Sequence, residues 1–251
     1  MKKSFENYVG VIDSGVGGLT ILGQLQHKCP TCNFVYIADS AYCPYGTKQP
    51  QQIFTRVKAL IQYLQDSGAQ AVVIACNTAS VFADNLRQQF SLPIYDVIVP
   101  TCKRVDDITA TKRVALLATN ATVKSNAYQR ILNASGITTI AFPCSEFVPF
   151  VENGKVDTFA CSVAIDKALH MLPMCNVDTV ILGCTHFPFL RKKIAPYVNG
   201  AQIIECCTEF YPQFDTGITP GNTVFLTTGT EKQVNGIANH FGRISFVQVN
   251  I

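Results

Sequence analysis

Short apolar runs rich in β-branched residues alternate with longer segments of mixed polarity along the chain. The runs Tyr8–Ile12, Phe34–Ala38, Ala71–Ala75, Arg113–Ala118, Thr138–Phe142, Thr179–Leu182 and Thr223–Thr227 predict buried strands. Between them, Gln51–Ser67 sets Ile53, Val57, Leu60, Ile61 and Leu64 on one helical face, and Gly68 follows as a stop. Alternation of this kind predicts an α/β fold of parallel sheets with right-handed crossovers.

The pattern also repeats. YVGVIDSG (8–15) has a counterpart in ALLATNAT (115–122), and VVIACNTAS (72–80) has a closer one in VILGCTHFP (180–188). The spacing from Asp13 to Cys76 nearly equals that from Thr119 to Cys184. Two pseudo-symmetric lobes follow, each a parallel sheet flanked by helices, with the site in the cleft between them. Each lobe presents a cysteine at the carboxyl end of a strand, where open α/β sheets bind ligands. The expected crossover lies near Val97–Thr101, where Pro100 interrupts. Residues 1–97 and 208–251 then form one lobe and 98–207 the other. The segment from Thr208 onward adds a strand and a helix outside the repeat.

Composition narrows the class. Hydrophobic residues make up 48% of the 251 and charged residues 15%, enough for a sizeable core and too apolar for disorder. A net charge of +3, with no basic run longer than Arg191-Lys192-Lys193, gives no stripe for nucleic acid. The N-terminus has no signal-peptide pattern, and no stretch is long and apolar enough to span a membrane. A cytoplasmic protein is expected, its eleven cysteines mostly reduced thiols.

Cys76 alone reads as a small buried hydrophobe. Its pairing with Cys184 changes that reading. Cys184-Thr185-His186 carries an imidazole two residues from the thiol, and Asp13-Ser14 ends the strand expected beside that of Cys76. A neighbouring base or cation sets the thiolate fraction. Redox exchange needs adjacent sulfurs, and metal binding needs three or four close ligands. Acid–base chemistry needs one thiolate and one thiol on opposite sides of a carbon. Cysteines on facing lobes suit the last, which inverts a stereocentre.

Five motifs in order carry a resemblance: DSGVGGLTIL (13–22), ADSAYCPYGTK (38–48), ACNTAS (75–80), FVPFVENG (147–154) and GCTHFPFL (183–190), with TTGTEKQVNGIANHFG (227–242) as a closing strand and helix. Together they resemble the glutamate racemases of the cofactor-independent aspartate/glutamate racemase superfamily. The resemblance implies that Cys76 and Cys184 transfer protons, that Asp13 and His186 assist them, and that Glu152 is a further acid near the second thiol. It puts Asp13, Ser14, Tyr45, Gly46, Asn77, Thr78, Thr119, Thr122, Thr185 and His186 at substrate-contacting positions. It also implies glutamate as substrate, no cofactor or metal, a homodimer, and D-glutamate supplied for peptidoglycan. Twelve residues precede Asp13, so activation by a muramyl-peptide precursor is not expected. Ala118 and Glu205-Cys206-Cys207 depart from the family pattern.

Other signals read as structural. Gly15-Val16-Gly17-Gly18 lacks the third glycine of a dinucleotide fingerprint, where Thr20 stands, and reads as turn glycines. Cys29-Pro30-Thr31-Cys32 has metal or redox spacing but no second pair, and Cys206-Cys207 reads the same way. His27, His170 and His240 lie in helical patterns with no partner motif. From local sequence, Glu152 reads equally as a helix-start residue. Two other activities stay open: racemisation of aspartate or a hydantoin, and amino-acid binding without catalysis.

Overall fold

The structure is a computed structural model that describes residues 7–207, 211, 214, 221–238 and 244–251; His240 and Thr208 lie outside them. Among the described residues ten strands form two sheets, and each of their pairings is parallel. The strands are β1 (Tyr8–Asp13), β2 (Phe34–Ala38), β3 (Ala69–Ile74), β4 (Ile94–Asp96), β5 (Arg113–Ala118), β6 (Thr138–Pro143), β7 (Thr179–Gly183), β8 (Gln202–Glu205), β9 (Thr223–Thr227) and β10 (Phe246–Gln248). One sheet runs β10-β9-β2-β1-β3-β4 and the other β6-β5-β7-β8.

The repeat is visible in that order. β2-β1-β3-β4 and β6-β5-β7-β8 are the same arrangement traced twice, and β9 and β10 extend only the first sheet. All seven expected strands form, with ends shifted by up to two residues. β4, β8 and β10 were not expected; at three or four residues they are too short to show a period.

Alternation along β1 distributes its side chains between two cores. Val9 and Val11 join a cluster that includes Ala115, Leu117, Val180 and Leu182 of the second sheet, so one core spans both sheets. Tyr8 and Ile12 face the opposite side, against Ile53, Val57, Leu60 and Leu64 of the helix Pro50–Asp66. That helix starts on a Gln49/Gln52 capping box with Pro50 in its first turn, and Gly68 (φ 93°) follows its end. A third cluster packs the helices Ile98–Ile108 and Ala127–Ala134 on the outer face of the second sheet.

Pro100 does not interrupt the chain. It lies in the first turn of Ile98–Ile108, where the missing N–H has no carbonyl to meet, and the Asp96 carboxylate accepts from the N–H groups of Ile98 and Val99.

Candidate active site

Strand ends deliver the reactive groups. β1 ends on Asp13, and β3 runs out one residue before Ala75 and Cys76, the latter opening the short helix Asn77–Ser80. In the second sheet β5 runs into Thr119, which caps the helix Asn120–Ser125, and β7 runs into Cys184. Both cysteines are 5% exposed. They line one cavity together with Ser14, Tyr45, Gly46, Asn77, Thr78, Thr119, Thr185 and His186. Its volume of ≈ 10 Å³ is room for about one water. Ten of the thirteen expected site residues therefore surround one closed space, and Asp13, Thr122 and Glu152 support it from behind.

The Cys76 sulfur is 3.7 Å from Ser14 Oγ. Burial, with the Asp13 carboxylate next, pushes its thiol up to about 12. Asp13 accepts from the Gly15 N–H at 2.9 Å and from Thr185 Oγ1 at 3.1 Å, linking the two halves. Burial raises its carboxyl against the pull of His186 and the Gly15 N–H. The Cys184 sulfur is 3.7 Å from His186 Nδ1, while His186 Nε2 is hydrogen-bonded to Glu152 Oε1. Burial opposes charge on this imidazole, but the bonds to Cys184 and Glu152 prevail and hold His186 well above its ordinary value. Glu152 is the last residue of the helix Val148–Glu152, so the helix-start reading fails.

A hydroxyl cluster crosses the seam. Thr78 Oγ1 is 2.9 Å from Thr119 Oγ1 and 3.3 Å from Thr122 Oγ1. The Asn77 amide is fixed on both sides, donating to the Cys206 sulfur at 2.9 Å and accepting from Tyr128 Oη at 2.6 Å. Cys206, one of the departures from the family pattern, thus orients a cavity residue. Tyr45 lines the cavity but turns its hydroxyl away, 2.5 Å from Asp39 Oδ2.

Glycines 15, 17 and 18 are not left-handed turn residues, for none has positive φ. They permit close approach. A Cβ on Gly17 would lie 2.6 Å from Thr185 Oγ1 and 2.9 Å from His186 Nδ1, and one on Gly15 would collide with Glu152 Oε1. Sequence reasoning missed Pro44 and Val148, which line the cavity, and Cys43, packed against the Gly15 side of it. No periodic signal marks such contacts. Cys29 and Cys32 are buried, and their sulfurs bond the backbone of Phe214, Cys32 donating to its carbonyl and Cys29 accepting from its N–H. Among the described residues no group of three or more His, Cys, Asp or Glu is arranged to hold a metal. His27 and His170 are exposed.

The fold and the site define a duplicated α/β protein in which each repeat contributes one thiol to a shared buried cavity. The sequence model of the Asp/Glu/Hydantoin racemase family matches residues 20–210, and the chain belongs to that family. Its similarity falls on glutamate racemases. It is 36% identical to that of Aquifex aeolicus over 198 residues, 78% of each chain, and 30% identical to that of Enterococcus faecalis over 251 residues, 94% of this chain and 92% of the other. A glutamate racemase isoform from Bacillus anthracis superposes with a TM-score of 0.91 at 28% identity over 98% of both chains. The enzyme from Francisella tularensis, solved with D-glutamate, superposes with 0.86 at 28% identity over the same shares.

Proposed function

We propose that the chain interconverts L- and D-glutamate by a two-base mechanism without a cofactor, Cys76 and Cys184 being the two acid–base groups. The observation that carries this is the single cavity lined by one thiol from each repeat. A thiolate on one side takes the α-proton, and the thiol on the other returns one to the opposite face. His186 serves Cys184, and Glu152 keeps the imidazole oriented and charged. Asp13, tied to Thr185, serves the Cys76 side. Ser14, Asn77, Thr78, Thr119 and Thr185, with the backbone of Tyr45 and Gly46, supply the donors that two carboxylates require, and Thr122 holds Thr78 and Thr119 from behind.

The test is incubation with each enantiomer of glutamate and, in parallel, of aspartate, followed by optical activity. In heavy water, early product should carry deuterium while recovered substrate does not. Equal early labelling of both enantiomers would point to a single base, and turnover of aspartate alone would replace the substrate.

We extend the reading to D-glutamate supply for peptidoglycan, a cytoplasmic location and a homodimer. Its support is the glutamate racemase similarity, eleven cysteines of which none is in a disulfide, as suits a reducing compartment, and the absence, among the described residues, of a helix able to cross a membrane. Light scattering on the purified chain tests the dimer. The division into 1–97 with 208–251 and 98–207 is proposed on the same footing. Its support is the grouping of strands between 8 and 96, and between 223 and 248, in one sheet, and of strands between 113 and 205 in the other.

A further inference from the structure

We infer that the chamber beside the active cavity, across Gly46 and Thr78, is a vestibule through which the substrate enters, with Lys48 and Lys124 as its electrostatic guides. The inference rests on the glutamate reading above.

The cavity around the two thiols holds about one water, so an amino acid enters only when the seam beside it opens locally. The adjoining chamber, of ≈ 480 Å³, shares Gly46 and Thr78 with it as a common wall. That chamber straddles the same seam. Gly46, Ile53 and Phe82 come from the first half of the chain, and Ala121 from the second. Between the two spaces Gly46 meets Thr119 so closely that a Cβ on the glycine would lie 2.7 Å from Thr119 Cβ. Parting that contact joins chamber to cavity.

The charge of the chamber fits a dicarboxylate. Its ionisable lining is Lys48 from one half and Lys124 from the other, with no acidic residue among the lining. Neither lysine is ion-paired with a described acidic residue. The rest of the wall mixes apolar side chains such as Ile53, Val81 and Phe82 with neutral hydroxyls and amides, and adds no further charge. Such a mouth raises the capture rate of an anion without binding it tightly, and salt screens the effect.

The experiment uses the full chain with Lys48→Gln, Lys124→Gln, the double variant and Ala121→Trp. At low ionic strength each lysine replacement should lower kcat/KM by about threefold or more, with kcat nearly unchanged. The wild-type kcat/KM should fall as NaCl is added, and that of the double variant should stay flat. Ala121→Trp, which narrows the chamber, should lower kcat/KM and shrink the α-deuterium isotope effect on it, because entry becomes slower than proton transfer. An active wild type whose double variant keeps the same kcat/KM and salt slope would overturn the vestibule alone. An enlarged isotope effect in Ala121→Trp would also overturn it, by showing damage to chemistry instead of entry. A wild type inert toward both enantiomers would overturn the glutamate reading and this inference with it.

Discussion

Cys76 and Cys184 are equivalents in the repeat, yet their surroundings differ. The Cys76 thiol, at about 12, is protonated at neutral pH, held so by burial and the neighbouring Asp13. Cys184 instead faces, at 3.7 Å, the imidazole of His186, which its bonds to Cys184 and Glu152 hold well above its ordinary value. The ligand-free site is thus set to give a proton at Cys76, with an imidazole beside the opposite sulfur. On the two-base proposal, the family resemblance implies that Cys184 would deprotonate L-glutamate and Cys76 the D-enantiomer. Serine keeps the geometry but is a far weaker acid, so Cys184→Ser should enlarge the α-deuterium isotope effect with L-glutamate and Cys76→Ser with D-glutamate. Initial rates with protiated and deuterated substrates in both directions measure this; near-wild-type rates in both variants would remove the thiols from the chemistry. Glu152 gives a second prediction. A histidine with a raised folded-state value holds its proton where the unfolded chain has released it. Its contribution to stability is therefore full below about 6.5 and is lost as pH rises through the raised value. Glu152→Gln removes a negative partner and lowers that value. The alkaline limbs of both kcat and thermal stability should shift to lower pH, and pH profiles of the two proteins would show it; coincident limbs would separate Glu152 from His186.

The loop from Ser14 to Gly18 carries the contact between halves at the element scale. Gly17→Ala would push a methyl group into Thr185 and His186, both fixed by hydrogen bonds, so the loop itself must retreat. Activity should fall by about a hundredfold or more, while Tm, governed by cores in which Val16 alone of this loop takes part, drops by only a few degrees. Circular dichroism melts and initial rates compare the two, and an active Gly17→Ala would show that the halves tolerate the wider gap. The same loop marks where sequence is legible. Long buried strands announce themselves by composition, and the repeat locates both thiols, because each element carries its signal within eight or ten residues. β4 and β8 carry none: they are matching elements of the two halves, three and four residues long, and are strands only because β3 and β7 lie beside them. Gly15 and Gly17 looked like turn residues because the groups they make room for, Glu152, Thr185 and His186, lie more than a hundred residues away. The Asn77–Cys206 bond, between residues 129 positions apart, is hidden for the same reason. Glu152 acquired meaning from the family motif and not from its neighbours.

At the scale of the molecule, one core runs through both sheets while the thiols face a seam closed to a single water. The halves are joined at the back by packed side chains and at the front by a few hydroxyls and close glycine contacts, Thr78 with Thr119 and Gly46 with Thr119. Opening at the front disturbs little apolar burial, so substrate access is expected as a local event and not as a separation of lobes. Thiol chemistry reports on that opening. Iodoacetamide reacts with thiolate, and a thiol at about 12 offers on the order of 10³-fold less of it than an ordinary thiol. Cys175, half-buried and remote from the cavity, is the internal reference. Mass-spectrometric mapping over time should show Cys175 modified first and Cys76 far more slowly. Saturating D-glutamate should slow Cys76 and Cys184 further and leave Cys175 unchanged, since ligand holds the front closed. Cys76 labelled as fast as Cys175 would mean that the seam stands open in solution and that burial does not set this thiol. Protection of Cys175 along with the two cavity thiols would mean instead that ligand tightens the whole molecule, and the opening would then have to be assigned to the lobes as bodies.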